Sequence, residues 1–175
     1  MTRTLQLALA TYRPRKPVPG QGLFDPSLTR MRVWPTDLDI YRHMNNGVYL
    51  QCMDVARCNF LADLGAYGSL ADKKWYPVVA AQTIKYRRSL TLGQRFDITT
   101  KVLGWDERVV YLEQTFSRDG EHVARGIVAG RFLGRNGERV SAPDVVALLT
   151  GGPVASPELP DDVAGWARAV DVAAR

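Results

Sequence analysis

The chain has 175 residues, 46% of them hydrophobic, enough for one domain with extensions and too few for two full domains. Lys and Arg number 23 against 18 Asp and Glu, a formal charge of +5 that is spread along the chain and suits a phosphate-bearing ligand. No apolar run approaches the roughly 18 to 20 residues of a membrane span, Leu5 to Ala10 is too short for a secretory signal core, and two cysteines without clustered histidines offer no metal-ligand spacing. These features give the expectation of a soluble, cytoplasmic protein with no metal.

Residues 1–27 contain Pro14, Pro17, Pro19, Gly20, Gly22 and Pro26 and read as an irregular arm carrying the basic group Arg13, Arg15 and Lys16. Leu28 to Trp34 reads as a first strand ended by Pro35. The stretch from Trp34 to Asn46 then packs Asp37, Asp39, His43, Asn45 and Asn46 into a short loop. Asp39 and His43 can hold or move a proton near neutral pH, and the N-terminus of a following helix offers unpaired backbone N–H groups to developing negative charge.

Asn45 or Asn46 can cap that helix. Cys52, Met53, Ala56, Phe60 and Leu64 follow the rhythm of a buried helical face, and Val48, Val55 and Leu61 widen it, so the helix is expected to be covered on more than one side. Asp54 and Arg57 read as a surface pair. Gly65 and Gly68 mark its end. Cys52 and Cys58 fall on different faces and are not expected to bridge.

Four strands follow: Val78 to Ser89, Phe96 to Gly104, Val109 to Ser117, and His122 to Leu133 after the turn at Arg118 to Glu121. They read as a meander. Gly126 and Gly130, on one face of the last strand, suggest a bend or a close approach by the helix. Ser141 to Leu149 reads as a short helix, Gly151-Gly152-Pro153 as a break, and Pro160 to Ala174 as a weak terminal helix. His122, beside the turn, reads as exposed and inert.

A strand, a long helix and an antiparallel sheet make an α+β domain. This order together with the loop WPTDLDIYRHMNNGVY, Trp34 to Tyr49, resembles the hotdog-fold thioesterases over about residues 28–135. The loop is similar to the motif of the plant acyl-ACP thioesterases and of the 4-hydroxybenzoyl-CoA thioesterase-like branch. The resemblance implies a hotdog domain over 28–150, a long helix wrapped by a curved antiparallel sheet, with 151–175 as a C-terminal extension. It places Asp39 at the position of the nucleophile or general base and His43 at a catalytic histidine. Asn45 and Asn46 match the paired asparagines and Tyr49 the aromatic one turn inside the helix. Tyr86-Arg87-Arg88 is similar to a strand motif of the acyl-ACP enzymes. Two positions depart from those enzymes: Tyr41 replaces a catalytic asparagine and Ser89 a glutamate.

The implied activity is hydrolysis of an acyl-CoA or acyl-carrier-protein thioester with no cofactor, the coenzyme A moiety being part of the substrate. Asp39 would activate water or attack directly, while backbone N–H groups from Asn46 through Gly47 to Val48 polarise the carbonyl. Asp37 is expected to bond loop N–H groups or Arg42. Arg87 and Arg88 would meet phosphates, and Ser89 would bond substrate or water. A homodimer with sites at the subunit interface is implied, with further pairing into tetramers left open. The alternatives are a non-catalytic acyl-thioester or fatty-acid binding hotdog protein and a dehydratase on the same scaffold. Nucleic acid is not an expected partner, because the basic residues lack interleaved aromatics.

Overall fold

A computed structural model describes residues 3–173. Helix α1 (Arg3–Tyr12) precedes β1 (Ser27–Arg32), and a 3-10 turn (Pro35–Asp37) leads into the long helix α2 (Asn46–Asp63) and the short α3 (Ala66–Lys73). Strands β2 (Tyr76–Tyr86), β3 (Arg95–Trp105), β4 (Val110–Arg118), β5 (Glu121–Leu133) and the short β6 (Arg139–Val140) follow, then α4 (Ala142–Thr150) and α5 (Asp161–Ala169).

All pairings are antiparallel, and the strand order is β1-β3-β4-β5-β2 with β6 beside β5. Only β3, β4 and β5 therefore form a meander. The expected four-strand run fails at its first connection: Arg87 to Gln94 is no hairpin but crosses to the far side of the sheet, pinned on the way by the Met44 N–H to the Leu90 carbonyl, 2.7 Å. Strand β2 consequently forms one edge of the sheet, with its outer backbone groups unpaired among the described residues.

Helix α2 lies on the concave face. Asn45 caps it by accepting from the Gly47 N–H at 2.8 Å, and at 18 residues it is about 27 Å long. Its buried Cys52, Met53, Ala56 and Phe60 meet Phe96, Ile98, Val102, Leu112, Phe116 and Val128 from alternate positions of the strands. Gly126 lets this happen: a Cβ there would overlap the Met53 side chain, so the helix approaches β5 where the side chain is missing. Gly65, at φ +67°, ends the helix as expected, but Gly68 sits inside α3.

The opposite flank of α2 is covered by α1, a correction to the irregular arm expected over 1–27. Its prolines begin only at Pro14, leaving Arg3 to Tyr12 free to form a helix whose Leu7 and Ala10 pack on the core. The terminal helix α5 packs on the convex face, with Val163 and Ala167 buried against Val109, Tyr111, Ile127 and Ala129. Both cysteines are free, Cys52 buried and Cys58 partly so. Among the described residues no helix is long and apolar enough to cross a membrane, and no group of three metal-ligating side chains occurs.

Candidate active site

The loop ahead of α2 is built on Asp37. This residue is buried and its carboxylate is gripped by the Arg3 guanidinium, Nε to Oδ1 at 3.1 Å and Nη2 to Oδ2 at 2.6 Å. Arg3 also donates to the Arg32 carbonyl at 2.7 Å, while the Trp34 N–H donates to Asp37 Oδ2 at 2.7 Å and the Asn45 N–H to the Asp37 carbonyl at 2.8 Å. A structural Asp37 was expected. Its cation is Arg3, from the first turn of α1, rather than Arg42, which turns outward in the left-handed region at φ 63°.

From Asp39 to His43 the chain folds back on itself. The Asp39 N–H donates to the His43 carbonyl at 2.8 Å, and Asp39 Oδ1 accepts from the N–H groups of Tyr41 at 2.9 Å and His43 at 3.1 Å. One oxygen of Asp39 thus shapes the loop, and Oδ2 has no hydrogen-bond partner among the described residues. Bridges from Leu38 to Met44 and from His43 to Thr91 fix the loop against the segment after β2.

These contacts gather Asp39, His43, Asn46, Tyr49, Arg87, Arg88 and Ser89 around one open hollow of about 250 Å³ at the N-terminus of α2. Residues more than forty positions apart are joined here because the Met44 to Leu90 bond ties loop to loop. Two lining residues, Met44 and Tyr86, were absent from the expected set. Tyr86 was visible within the Tyr86-Arg87-Arg88 triplet, yet its task could not be read there. Its hydroxyl donates to the Asn46 carbonyl at 3.1 Å, and its ring stands edge-on to Tyr49 at 5.1 Å. Burial pushes the Tyr49 phenol up to about 12 and the Tyr86 phenol upward, so both are neutral near pH 7.

Gly47 and Val48 do not line the hollow. The Gly47 N–H is held by the Asn45 side chain and the Val48 N–H by the Asn45 carbonyl at 2.9 Å, so capping consumes two of the three donors expected to face substrate. The Asn46 N–H has no partner among the described residues. Tyr41 is exposed and stands outside the lining.

Arg87, Arg88 and Ser89 lie beyond the end of β2, contrary to the expected strand through Ser89. The N–H groups of Arg87 and Arg88 both donate to the Val123 carbonyl, at 2.9 and 3.1 Å, which turns the chain off the sheet and leaves the side chains exposed at the rim. Arg88 pairs with Glu121. The Ser89 hydroxyl has no hydrogen-bond partner among the described residues. His122 is half-buried rather than exposed, with Nδ1 unpartnered among the described residues.

Further along α2 the structure holds a second space, an apolar cavity of about 230 Å³ between α2, α4 and the sheet. The Asp54–Arg57 pair borders it, and Arg57 also donates to Gln114 Oε1 at 2.8 Å. The expected surface pair is therefore half-sunk: the Arg57 side chain is 13% exposed, because its aliphatic stem lies along the cavity wall.

A curved antiparallel sheet wrapped around one long helix, with a polar hollow at that helix's N-terminus, defines a hotdog-fold thioesterase scaffold. The chain belongs to the thioesterase-like superfamily, whose family model matches residues 33–167. The protein THEM6 of Danio rerio is 34% identical over 145 residues, 82% of this chain and 70% of that protein. The long-chain acyl-CoA thioesterase FadM of Escherichia coli is 28% identical over 102 residues, 57% of this chain and 77% of that protein. Among solved structures, the probable thioesterase YbaW of Escherichia coli superposes with a TM-score of 0.66 at 21% identity, over 70% of this chain and 95% of that one.

Proposed function

We propose that the protein hydrolyses acyl thioesters of coenzyme A, with the hollow at the start of α2 as its reaction site. The observation that carries this is the meeting of Asp39, His43 and Asn46 with the basic rim of Arg87 and Arg88 in a single opening. Asp39 Oδ2 is the acceptor for a proton from water as that water attacks the thioester carbonyl. The Asn46 N–H and the positive end of α2 stabilise the oxyanion that forms. Collapse of the tetrahedral intermediate breaks the C–S bond, and the departing thiolate, already a good leaving group, takes a proton from solvent. His43, exposed at the lip, orients the thioester, and the arginines meet the nucleotide phosphates. The similarity to an acyl-CoA thioesterase of Escherichia coli supports coenzyme A over a carrier protein.

The free edge of β2 supports a homodimer. The outward backbone groups of this eleven-residue edge strand, unpaired among the described residues, with Tyr76 and Val79 exposed, invite a second copy to continue the sheet.

A panel of acyl-CoA esters tests the reading through release of free thiol. Turnover is expected for the wild-type chain and loss of at least ~100-fold for Asp39→Asn, which keeps the loop-capping oxygen but removes the base. Binding of acyl-CoA without turnover would instead favour a non-catalytic acyl-thioester carrier, a reading motivated by the share of Asp39 already spent on the loop.

A further inference from the structure

Helix α1 is apolar on two faces. Arg3, Leu7 and Ala10 follow one another at four and three residues and turn inward, Arg3 to Asp37 and the other two onto the core. Leu5, Ala8, Leu9 and Tyr12 share the opposite side of the helix and form a second stripe, on which Leu5 is 51%, Leu9 43% and Tyr12 85% exposed. A helix packed on one flank ordinarily turns charged and polar residues outward. This one has no charged side chain between Arg3 and Arg13.

The segment around the stripe is basic throughout. Residues 1–24 hold Arg3, Arg13, Arg15 and Lys16 and no Asp or Glu, the first acid being Asp25. Arg3 is committed to Asp37 and Arg15 to Asp63, whereas Arg13 and Lys16, exposed just beyond the end of the stripe, have no ion pair among the described residues. Leu9, Arg13 and Arg15 join Arg30 of β1 around an open groove of about 300 Å³ beside the helix. The Arg30 side chain is 81% exposed and 3.9 Å from Asp97, so water screens that pair and its charge remains available at the surface.

We propose that this face docks on an anionic lipid surface, with Leu5, Leu9 and Tyr12 entering the headgroup layer and Arg13, Lys16 and Arg30 meeting lipid phosphates. Apolar side chains beside unneutralised cations supply the two components of interfacial binding, buried apolar area and attraction to negative lipid, and Tyr12 has the apolar ring and polar tip that suit the boundary. A second copy is a poorer occupant, because a symmetric pair through this face would set its basic groups against the same groups of the partner. The groove lies at the β1 edge of the sheet, opposite the β2 edge, so docking leaves β2 free to pair. The inward face of the same helix contributes Leu7 to the wall of the apolar cavity, and docking brings that wall to within about one helix diameter, roughly 10 Å, of the lipid.

The test is sedimentation of the full chain with vesicles of phosphatidylcholine alone and of phosphatidylcholine mixed with phosphatidylglycerol, at low and at high salt. Binding to the mixed vesicles should exceed binding to the neutral ones at least ~10-fold at low salt and weaken as salt screens the cations. Arg13→Glu with Lys16→Glu should lower that binding at least ~10-fold. Leu9→Ser with Tyr12→Ser should do the same with every charge in place. All four side chains are exposed, so thermal melts should stay near wild type and show that the fold is kept. Equal retention by neutral and mixed vesicles, retention by neither, or binding unchanged by both double variants overturns the proposal. A vesicle-free oligomer that Leu9→Ser with Tyr12→Ser dissolves gives the stripe to a second copy and overturns it as well. The thioesterase reading stands apart from these outcomes, since both double variants should hydrolyse acyl-CoA at the wild-type rate in vesicle-free buffer.

Discussion

Replacing Arg3 by Met removes one half of the buried pair that anchors the active-site loop. The two side chains are 1% and 2% exposed, so the Asp37 carboxylate would be left in the interior with only the Trp34 N–H, and the Arg32 carbonyl would lose its donor. Stripping the partner from a buried ion costs about 3–5 kcal/mol, far more than the 0–1 kcal/mol of an exposed pair. With an m-value near 2 kcal/mol/M, the urea midpoint should fall by about 2 M. The double variant Arg3→Met, Asp37→Asn should recover part of that loss, because the unpaired charge is gone while an oxygen remains for the Trp34 N–H. Equilibrium urea unfolding followed by tryptophan fluorescence measures both. A single variant within about 1 kcal/mol of wild type, or a double variant less stable than the single one, would refute the claim that charge burial holds this loop.

Gly126→Ala should cost about 1–3 kcal/mol, since the new methyl group displaces the fully buried end of Met53, and Met53→Ala combined with it should recover stability relative to Gly126→Ala alone, read from thermal melts. Burial pushes the Cys52 thiol from 9.0 up to about 12. The folded state thus keeps its proton longer than the unfolded chain, and the associated stability, full below pH 9, should be lost as pH rises towards about 12, by a few kcal/mol, on the order of 4. Cys52→Ala should flatten this alkaline loss in urea titrations; an unchanged slope would show that the thiol is not its source. Val163→Asp should loosen α5 from the convex face and expose Tyr111, Val109 and Ile127, giving concentration-dependent association by light scattering.

Local chemistry made the long helix readable, because Asn45 supplies a cap, Gly65 a stop, and Cys52 to Phe60 a buried stripe. Gly126 likewise announced the close approach of helix and sheet. Asp39, His43 and Asn46 were legible because they sit within eight residues of one another in a loop that leads into a helix. Helix α1 was hidden by the prolines that follow it, and α3 by a glycine that proved to lie within it.

The sequence by itself therefore determined the long helix, the long strands with their faces and the polar loop, since each depends on residues within a few turns of one another. Only the tertiary structure decided that β2 leaves the meander to become a free edge and that Arg3 reaches Asp37. It also brought the loop after β2 to the hollow. These outcomes are set by contacts between segments distant in the chain, where hydrogen-bonding groups are shared out by geometry that no local pattern encodes.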